Sequence, residues 1–255
     1  MKKTILAALL ALGPASAFAA DLPARTYTKA PMMAPINTWQ GFYIGGNVGY
    51  GWGNSGTDFT GLPSTVIFNV APTSLDTKPK GVIGGAQIGY NWQMGSLVTG
   101  LEADIQGSDM KGSATRSPVS LIDTGPLTGS SQSADQRLSW FGTVRGRLGI
   151  TVTPTVLLYA TGGLAYGEVK GSANTFFDET ASWPASIRET KVGWTAGAGA
   201  EWMFAHQWSA KVEYLYLDLG NVSAISNNPL TAGAQVNYTW KNQDHIVRAG
   251  VNYHF

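Results

Sequence analysis

From Trp39 onward, apolar and polar side chains alternate with a period of two, the pattern of a strand with one face toward an apolar environment. Eight segments carry it: 42–52, 82–92, 97–106, 138–150, 156–166, 192–202, 208–216 and 245–255. In the first, Phe42, Ile44, Gly46, Val48, Tyr50 and Trp52 share a face; in the fourth, Leu138, Trp140, Val144, Leu148 and Ile150 do. About 9–11 residues is the length at which a tilted strand crosses a bilayer. The connections alternate between short (93–96, 152–155, 205–207) and long (53–81, 107–137, 167–191, 217–244). Short turns on the periplasmic side and longer loops outside produce that asymmetry. The expectation is an all-β chain: an eight-stranded antiparallel up-and-down transmembrane β-barrel with short periplasmic turns and four longer extracellular loops. Closure is expected because lipid offers no partner to an unpaired backbone N–H or C=O.

Aromatic placement gives an independent check. Along the direction of each segment, Trp52, Trp140, Tyr166, Trp194 and Tyr216 fall at the outer rim. Phe42, Tyr90, Trp92, Trp202, Trp208, Tyr253 and Phe255 fall at the inner rim. Such girdles mark the two membrane–water interfaces of a strand-built membrane protein.

The opposite face carries charge. Glu102, Asp104, Arg145, Arg147, Glu201, Lys211, Glu213 and Arg248 all lie in the polar phase of the alternation, four acids against four bases. Facing lipid at the midplane, an Arg or Lys costs about 2–4 kcal/mol. An eight-stranded lumen is just wide enough to be filled by side chains. These eight residues are therefore expected to form an ionic network that plugs the lumen, with Glu201 directly across from Lys211.

The N-terminus reads as an export signal over 1–20. Lys2 and Lys3 precede an apolar run, and Ala17-Phe18-Ala19 supplies small residues for cleavage. Residues 21–38 contain Pro23, Pro31 and Pro35 and read as a periplasmic leader, which leaves 39–255 for the membrane domain. Losing Lys2 and Lys3 reduces 17 basic residues to 15 against 16 acidic ones, so the formal charge moves from +1 to −1. No basic excess exists to hold nucleic acid. Charged residues are 13% of the chain, against about 25% in soluble domains. The mean hydropathy of −0.03 is too low for a bundle of membrane helices. The absence of cysteine removes disulfides, thiolate metal sites and thiol nucleophiles. These features fit residence in a Gram-negative outer membrane.

The chain ends with Val251, Tyr253 and Phe255 alternating outward, which resembles the C-terminal signal read by the barrel assembly machinery. Further likeness lies in Ala20-Asp-Leu-Pro-Ala, in Trp39-Gln-Gly-Phe-Tyr-Ile-Gly-Gly-Asn-Val-Gly-Tyr50 and in Trp140-Phe-Gly-Thr-Val-Arg-Gly-Arg-Leu-Gly149. Together with Tyr159-Ala-Thr-Gly-Gly-Leu-Ala-Tyr166, these stretches resemble the alphaproteobacterial outer-membrane immunogenic proteins, small "porin family" barrels of OmpA-like fold. The resemblance implies a surface-exposed, often antigenic envelope protein without catalytic motif or cofactor. It implies no loop ligand, since the loops of that family vary. Outer-membrane lipids and lipopolysaccharide, the assembly machinery, and host or extracellular molecules at the loops are the expected partners.

Other motifs carry less. The clusters Gly45-Gly46 and Gly49-x-Gly51-x-Gly53 lack the following helix of a dinucleotide site. His206, His245 and His254 lack metal-ligand spacing. Asp244 with His245 and the loop serines is a weak hydrolase constellation. The expected function is a structural envelope protein with a charge-plugged lumen and no catalysis. The alternatives are a narrow diffusion channel for small solutes and an outer-membrane lipid hydrolase or protease.

Overall fold

The computed structural model describes residues 38–62, 70–71, 74–117, 119–121, 125–127, 129–177, 181–227 and 235–255. The expected export signal, and the leader up to residue 37, lie outside the described residues. Thirteen strands form among the described residues: β1 Gly41–Gly53, β2 Gly56–Leu62, β3 Val70–Ala71, β4 Ser74–Asp76, β5 Lys80–Met94, β6 Leu97–Arg116, β7 Val119–Leu121, β8 Gly125–Leu127, β9 Ser131–Thr153, β10 Val156–Phe177, β11 Ala181–Ala205, β12 Trp208–Asn227 and β13 Gln235–His254.

The expected eight-stranded up-and-down arrangement with four long loops is corrected by this topology. The main sheet has ten strands in the order β1–β5–β6–β9–β10–β11–β12–β13–β2–β4, all antiparallel where they pair, and β1 also pairs with β13. The segment 53–81, expected as loop, supplies β2 and β4, which extend the pairing from the far part of β13. A separate small sheet joins β3, β7 and β8. The other expected loops are largely strand: β6 runs on to Arg116, β10 to Phe177 and β12 to Asn227. The physical reason is a change of solvent: beyond the outer rim the inward side chains are apolar (Met110, Val169, Val236, Tyr238, Trp240) and the outward ones are polar, so no outward apolar face marks these strands in the sequence. Three pairings slip register near the outer rim, at Gly107/Met110, Glu168/Val169 and Asp218/Gly220, and the inward parity reverses along β9 and β12 while β6, β10, β11 and β13 keep theirs.

The short turns follow the sequence closely. Gly95 joins β5 to β6 with φ +64°, a left-handed conformation that glycine adopts without steric cost. Pro154-Thr155 and His206-Gln207 make the corresponding turns between β9 and β10 and between β11 and β12.

Burial inverts the rule of soluble proteins over the eight segments read from the sequence. Val48, Val82, Leu101, Leu148, Leu164, Val192 and Val212 are exposed, while charged residues between them are buried. Leu138 is a correction. It was expected on the outward apolar face, yet it is buried in the interior with Phe141, because the bulges flanking β9 reverse its phase.

The interior is layered along the strands. At the turn end, Trp39, Val98, Leu157, Tyr159 and Met203 pack together. The charged residues follow. Beyond them, Met110, Phe141, Leu215, Leu217 and Ile246 form an apolar layer, and still further out Phe59, Trp183, Tyr238 and Trp240 form another.

Candidate functional site

All eight charged residues singled out in the sequence are buried on the inner face, each at 5% exposure or less. Their strands bring them together from several directions: Glu102 and Asp104 from β6, Arg145 and Arg147 from β9, Glu201 from β11, Lys211 and Glu213 from β12, and Arg248 from β13. Glu102 is the hub. Its carboxylate takes two bonds from the Lys211 ammonium, at 3.0 and 3.1 Å, and a very close one from Arg145 Nη2. Arg147 and Arg248 approach it at 3.7 and 3.5 Å. Glu213 accepts from Arg145 Nη1 at 3.1 Å and from Arg248 Nε at 2.7 Å. Asp104 Oδ2 accepts from Arg145 at 2.9 Å and from Arg248 at 3.0 Å. Arg147 donates to Glu201 at 2.6 Å. Glu201 and Lys211 do stand opposite each other in register, but their nearest ionic partners are Arg147 and Glu102 respectively.

Neutral side chains that the charge pattern did not single out complete the network. The Tyr43 hydroxyl donates to Glu102 at 2.8 Å and accepts from Arg147 at 2.8 Å. Tyr159 donates to Glu213 at 3.0 Å, and its ring lies 3.9 Å from the Arg147 guanidinium carbon, a cation–π contact. Thr143 donates to Asp104, and Ser209 and Asn252 both donate to Glu201. Asn47, Gln87 and Asn252 continue the chain of bonds across the interior. All share the inward phase of the alternation, which is the signal that could have found them. With charges balanced and carboxylate oxygens multiply bonded, the arrangement meets the conditions under which buried ions are tolerated.

No nucleophile relay emerges among the described residues. Asp244 is buried while His245 sits on the outward face, beside Trp52 and bonded to the Tyr214 hydroxyl at 2.7 Å. The weak hydrolase pair is therefore split across the sheet. Ser209, His254 and Glu201 do meet, but Glu201 accepts directly from Ser209 instead of orienting the far nitrogen of His254. Among the described residues no group of three His, Asp or Glu is placed to hold a metal ion.

The rim aromatics lie on the outer face in contacting sets. Trp194 meets Tyr216 at 5.2 Å and Trp140 meets Tyr166 at 6.1 Å. At the other end Phe42 meets Tyr90 at 4.6 Å, Tyr90 meets Trp92 at 4.8 Å and Trp208 meets Tyr253 at 5.2 Å, while Trp202 packs on Phe204. Val251 and Phe255 are exposed on the same face, and the Phe255 N–H donates to the Phe42 carbonyl at 3.0 Å.

A sequence-family model described as an outer membrane protein beta-barrel domain matches residues 5–255. The chain is 41% identical over 258 residues to the 31 kDa outer-membrane immunogenic protein of Brucella melitensis biotype 1, covering 100% of both chains. It is 32% identical to the 22 kDa outer membrane protein of Rhizobium leguminosarum bv. viciae, covering 74% of this chain and 68% of that one. Among solved structures, the outer membrane protein OprG from Pseudomonas aeruginosa aligns with a TM-score of 0.48 at 11% identity, over 85% of this chain and 97% of that one.

Proposed function

The chain belongs to the outer-membrane β-barrel family, and from that premise we propose a non-catalytic structural surface protein whose ionic interior is a permanent plug. The observation that carries this reading is Glu102. One carboxylate is held by Arg145 and Lys211 and approached by Arg147 and Arg248, all of them buried. A solute would have to displace a charge-balanced network whose members have no alternative partners in the bilayer. The test is planar-bilayer recording of the purified chain. Little or no steady current is expected; large, stable single-channel currents would establish the narrow-channel alternative instead.

The outward apolar surface and its two aromatic sets act as the lipid contact and its interfacial anchors. Outer-membrane lipid and lipopolysaccharide are the partners of that surface. Val251, Tyr253 and Phe255 act earlier, as the segment that the assembly machinery reads during insertion. The segments beyond the outer rim present the antigenic surface.

A further inference from the structure

The strand register places five basic residues in one unbroken row across five neighbouring strands. Lys80 on β5 stands opposite Lys111 on β6, Lys111 opposite Arg137 on β9, Arg137 opposite Lys170 on β10, and Lys170 opposite Arg188 on β11. Residues directly opposed in an antiparallel pair project to the same side. Here that side is outward, since the inward neighbours Met110, Gln136 and Val169 are buried while Lys111, Arg137 and Arg188 are more than half exposed. Like charges directly opposite one another weaken a sheet, so five in succession have no use in the fold itself.

Two carboxylates soften the repulsion without cancelling it. Asp109 reaches Lys111 at 3.5 Å and Arg137 at 3.6 Å, and Glu168 holds Lys170 at 2.9 Å and Arg188 at 2.7 Å. The next outward row is built of small residues: Ser113 pairs with Asp135, Asp135 with Ser172, and Ser172 with Ser186. Even with Asp135 counted, five cations face three acids. The three serines leave an open groove of about 610 Å³ above the basic row, edged by Lys111, Arg137, Lys170 and Arg188. Guanidinium forks and ammonium groups below, with the Ser113 and Ser186 hydroxyls above, are the donor set for phosphate on a sugar, while Ser172 donates to Asp135 at 3.4 Å and that carboxylate leaves the groove net basic.

The position of the groove selects the occupant. Lys80 stands opposite Trp52 at the outer rim, Arg137 lies just outward of Trp140, and Lys170 just outward of Tyr166. On the same strands, the exposed apolar side chains Val82, Ile105, Val144 and Leu164 lie two to seven residues nearer the membrane, with the rim aromatics Trp140 and Tyr166 between. We propose that this row and its serine shelf dock the phosphorylated headgroup of an outer-leaflet glycolipid, whose acyl chains lie on the apolar face of the same strands. The assignment rests on the reading of that face as a lipid contact and adds which side of the molecule holds the headgroup. A soluble polyanion fits less well, because it would leave the continuity between groove and apolar band unused.

The test titrates diphosphoryl lipid A into the full chain in neutral detergent micelles and reads binding by native mass spectrometry. Arg137→Gln with Lys170→Gln is expected to lower apparent affinity at least about tenfold, as is the independent pair Lys111→Gln with Arg188→Gln. Lys241→Gln is the control, since that lysine lies on β13 and pairs with Asp58 at 2.9 Å; it should stay within about twofold. Unboiled gel mobility verifies that each variant is folded. Phosphate-free lipid A should bind the wild-type chain as weakly as diphosphoryl lipid A binds the double variants. If both double variants keep wild-type affinity for diphosphoryl lipid A, the row is not the site, although the glycolipid contact stands. If the wild-type chain does not distinguish the phosphorylated from the phosphate-free lipid, headgroup recognition itself fails. Binding of inorganic pyrophosphate or of a heparin oligosaccharide as tightly as lipid A, and lost in the same variants, would reassign the groove to a soluble anion and overturn the proposal.

Discussion

Replacing Glu102 by Gln tests whether charge balance holds the interior together. The amide keeps the volume and an oxygen for the Tyr43 hydroxyl, but four cationic side chains then face three carboxylates. Lys211 suffers most, because Glu102 is its only carboxylate within 4.0 Å among the described residues and its own side chain has no solvent exposure. The new amide N–H₂ also points donors at donors. Removing one member of a buried pair typically costs about 3–5 kcal/mol, because the remaining charge stays desolvated. With a urea slope of about 2–3 kcal/mol per molar, the unfolding midpoint should fall by about 1.5 M. The assay is urea unfolding of the chain refolded in detergent micelles, followed by tryptophan fluorescence and by the mobility of unboiled samples. Adding Lys211→Met restores the balance at three against three and fills similar volume, so at least half of the loss should return, a coupling of about 2 kcal/mol. A midpoint shift under about 0.3 M for Glu102→Gln, or a double variant whose losses simply add, would refute the reasoning.

Two further outcomes follow from other parts of the molecule. Asp244 lies one residue beyond the membrane-crossing part of β13, buried with no hydrogen-bond partner for Oδ1 among the described residues; burial, and secondarily the charge of Asp218, push its carboxyl up to about 7. The folded chain therefore keeps a proton that the unfolded chain releases, and stability should decline as pH rises from about 4 through 7, by at most about 4 kcal/mol. Asp244→Asn should flatten that decline; an unchanged pH profile would remove Asp244 as its source. For the C-terminus, Phe255→Ser should lower the folded fraction in cells severalfold while leaving the refolded protein within about 0.5 kcal/mol of wild type. Equal folded fractions in cells would sink the assembly-signal reading.

The sequence was legible where one rule held along a whole segment. Between Phe42 and Trp52, or between Val247 and Phe255, apolar residues face outward at every second position, and the charged residues could be assigned inward by elimination. Tyr43, Tyr159 and Asn252 were passed over because a tyrosine or amide does not announce an ionic partner, although all occupy the inward phase. Leu138 was misplaced because bulges at Gly107/Met110 and Glu168/Val169 shift the alternation without any glycine or proline at Ser139 to signal it. The outer strands look like loops in the sequence for a related reason. No outward apolar residue lies in 235–242, where Val236, Tyr238 and Trp240 are buried while Lys241 is exposed and Asn237 and Thr239 are half-buried.

β13 makes the underlying argument in a single strand. From its C-terminal end, the inward side chains are His254, Asn252 and Arg248, then Ile246, then the buried polar pair Asp244 and Asn242, and finally Trp240, Tyr238 and Val236. The outward ones run in the opposite sense, from Tyr253, Val251, Ala249 and Val247 to Lys241, Thr239 and Asn237. The strand keeps its period of two throughout, and only the solvent against its outer face changes. In hydrocarbon, every polar group must turn inward and find a partner there. In water, the same backbone buries its apolar side chains as a soluble sheet does. The crossover falls near Asp244 and His245, beside the rim set by Trp52 and Tyr216. The barrier inside is consequently of two kinds. The ionic layer lies at membrane depth because its charges have nowhere else to go, and the layer of Phe141, Leu215, Leu217 and Ile246 caps it from outside. Weakening the first by Glu102→Gln leaves the second intact, so the fold loses stability while the passage stays shut until both layers give way.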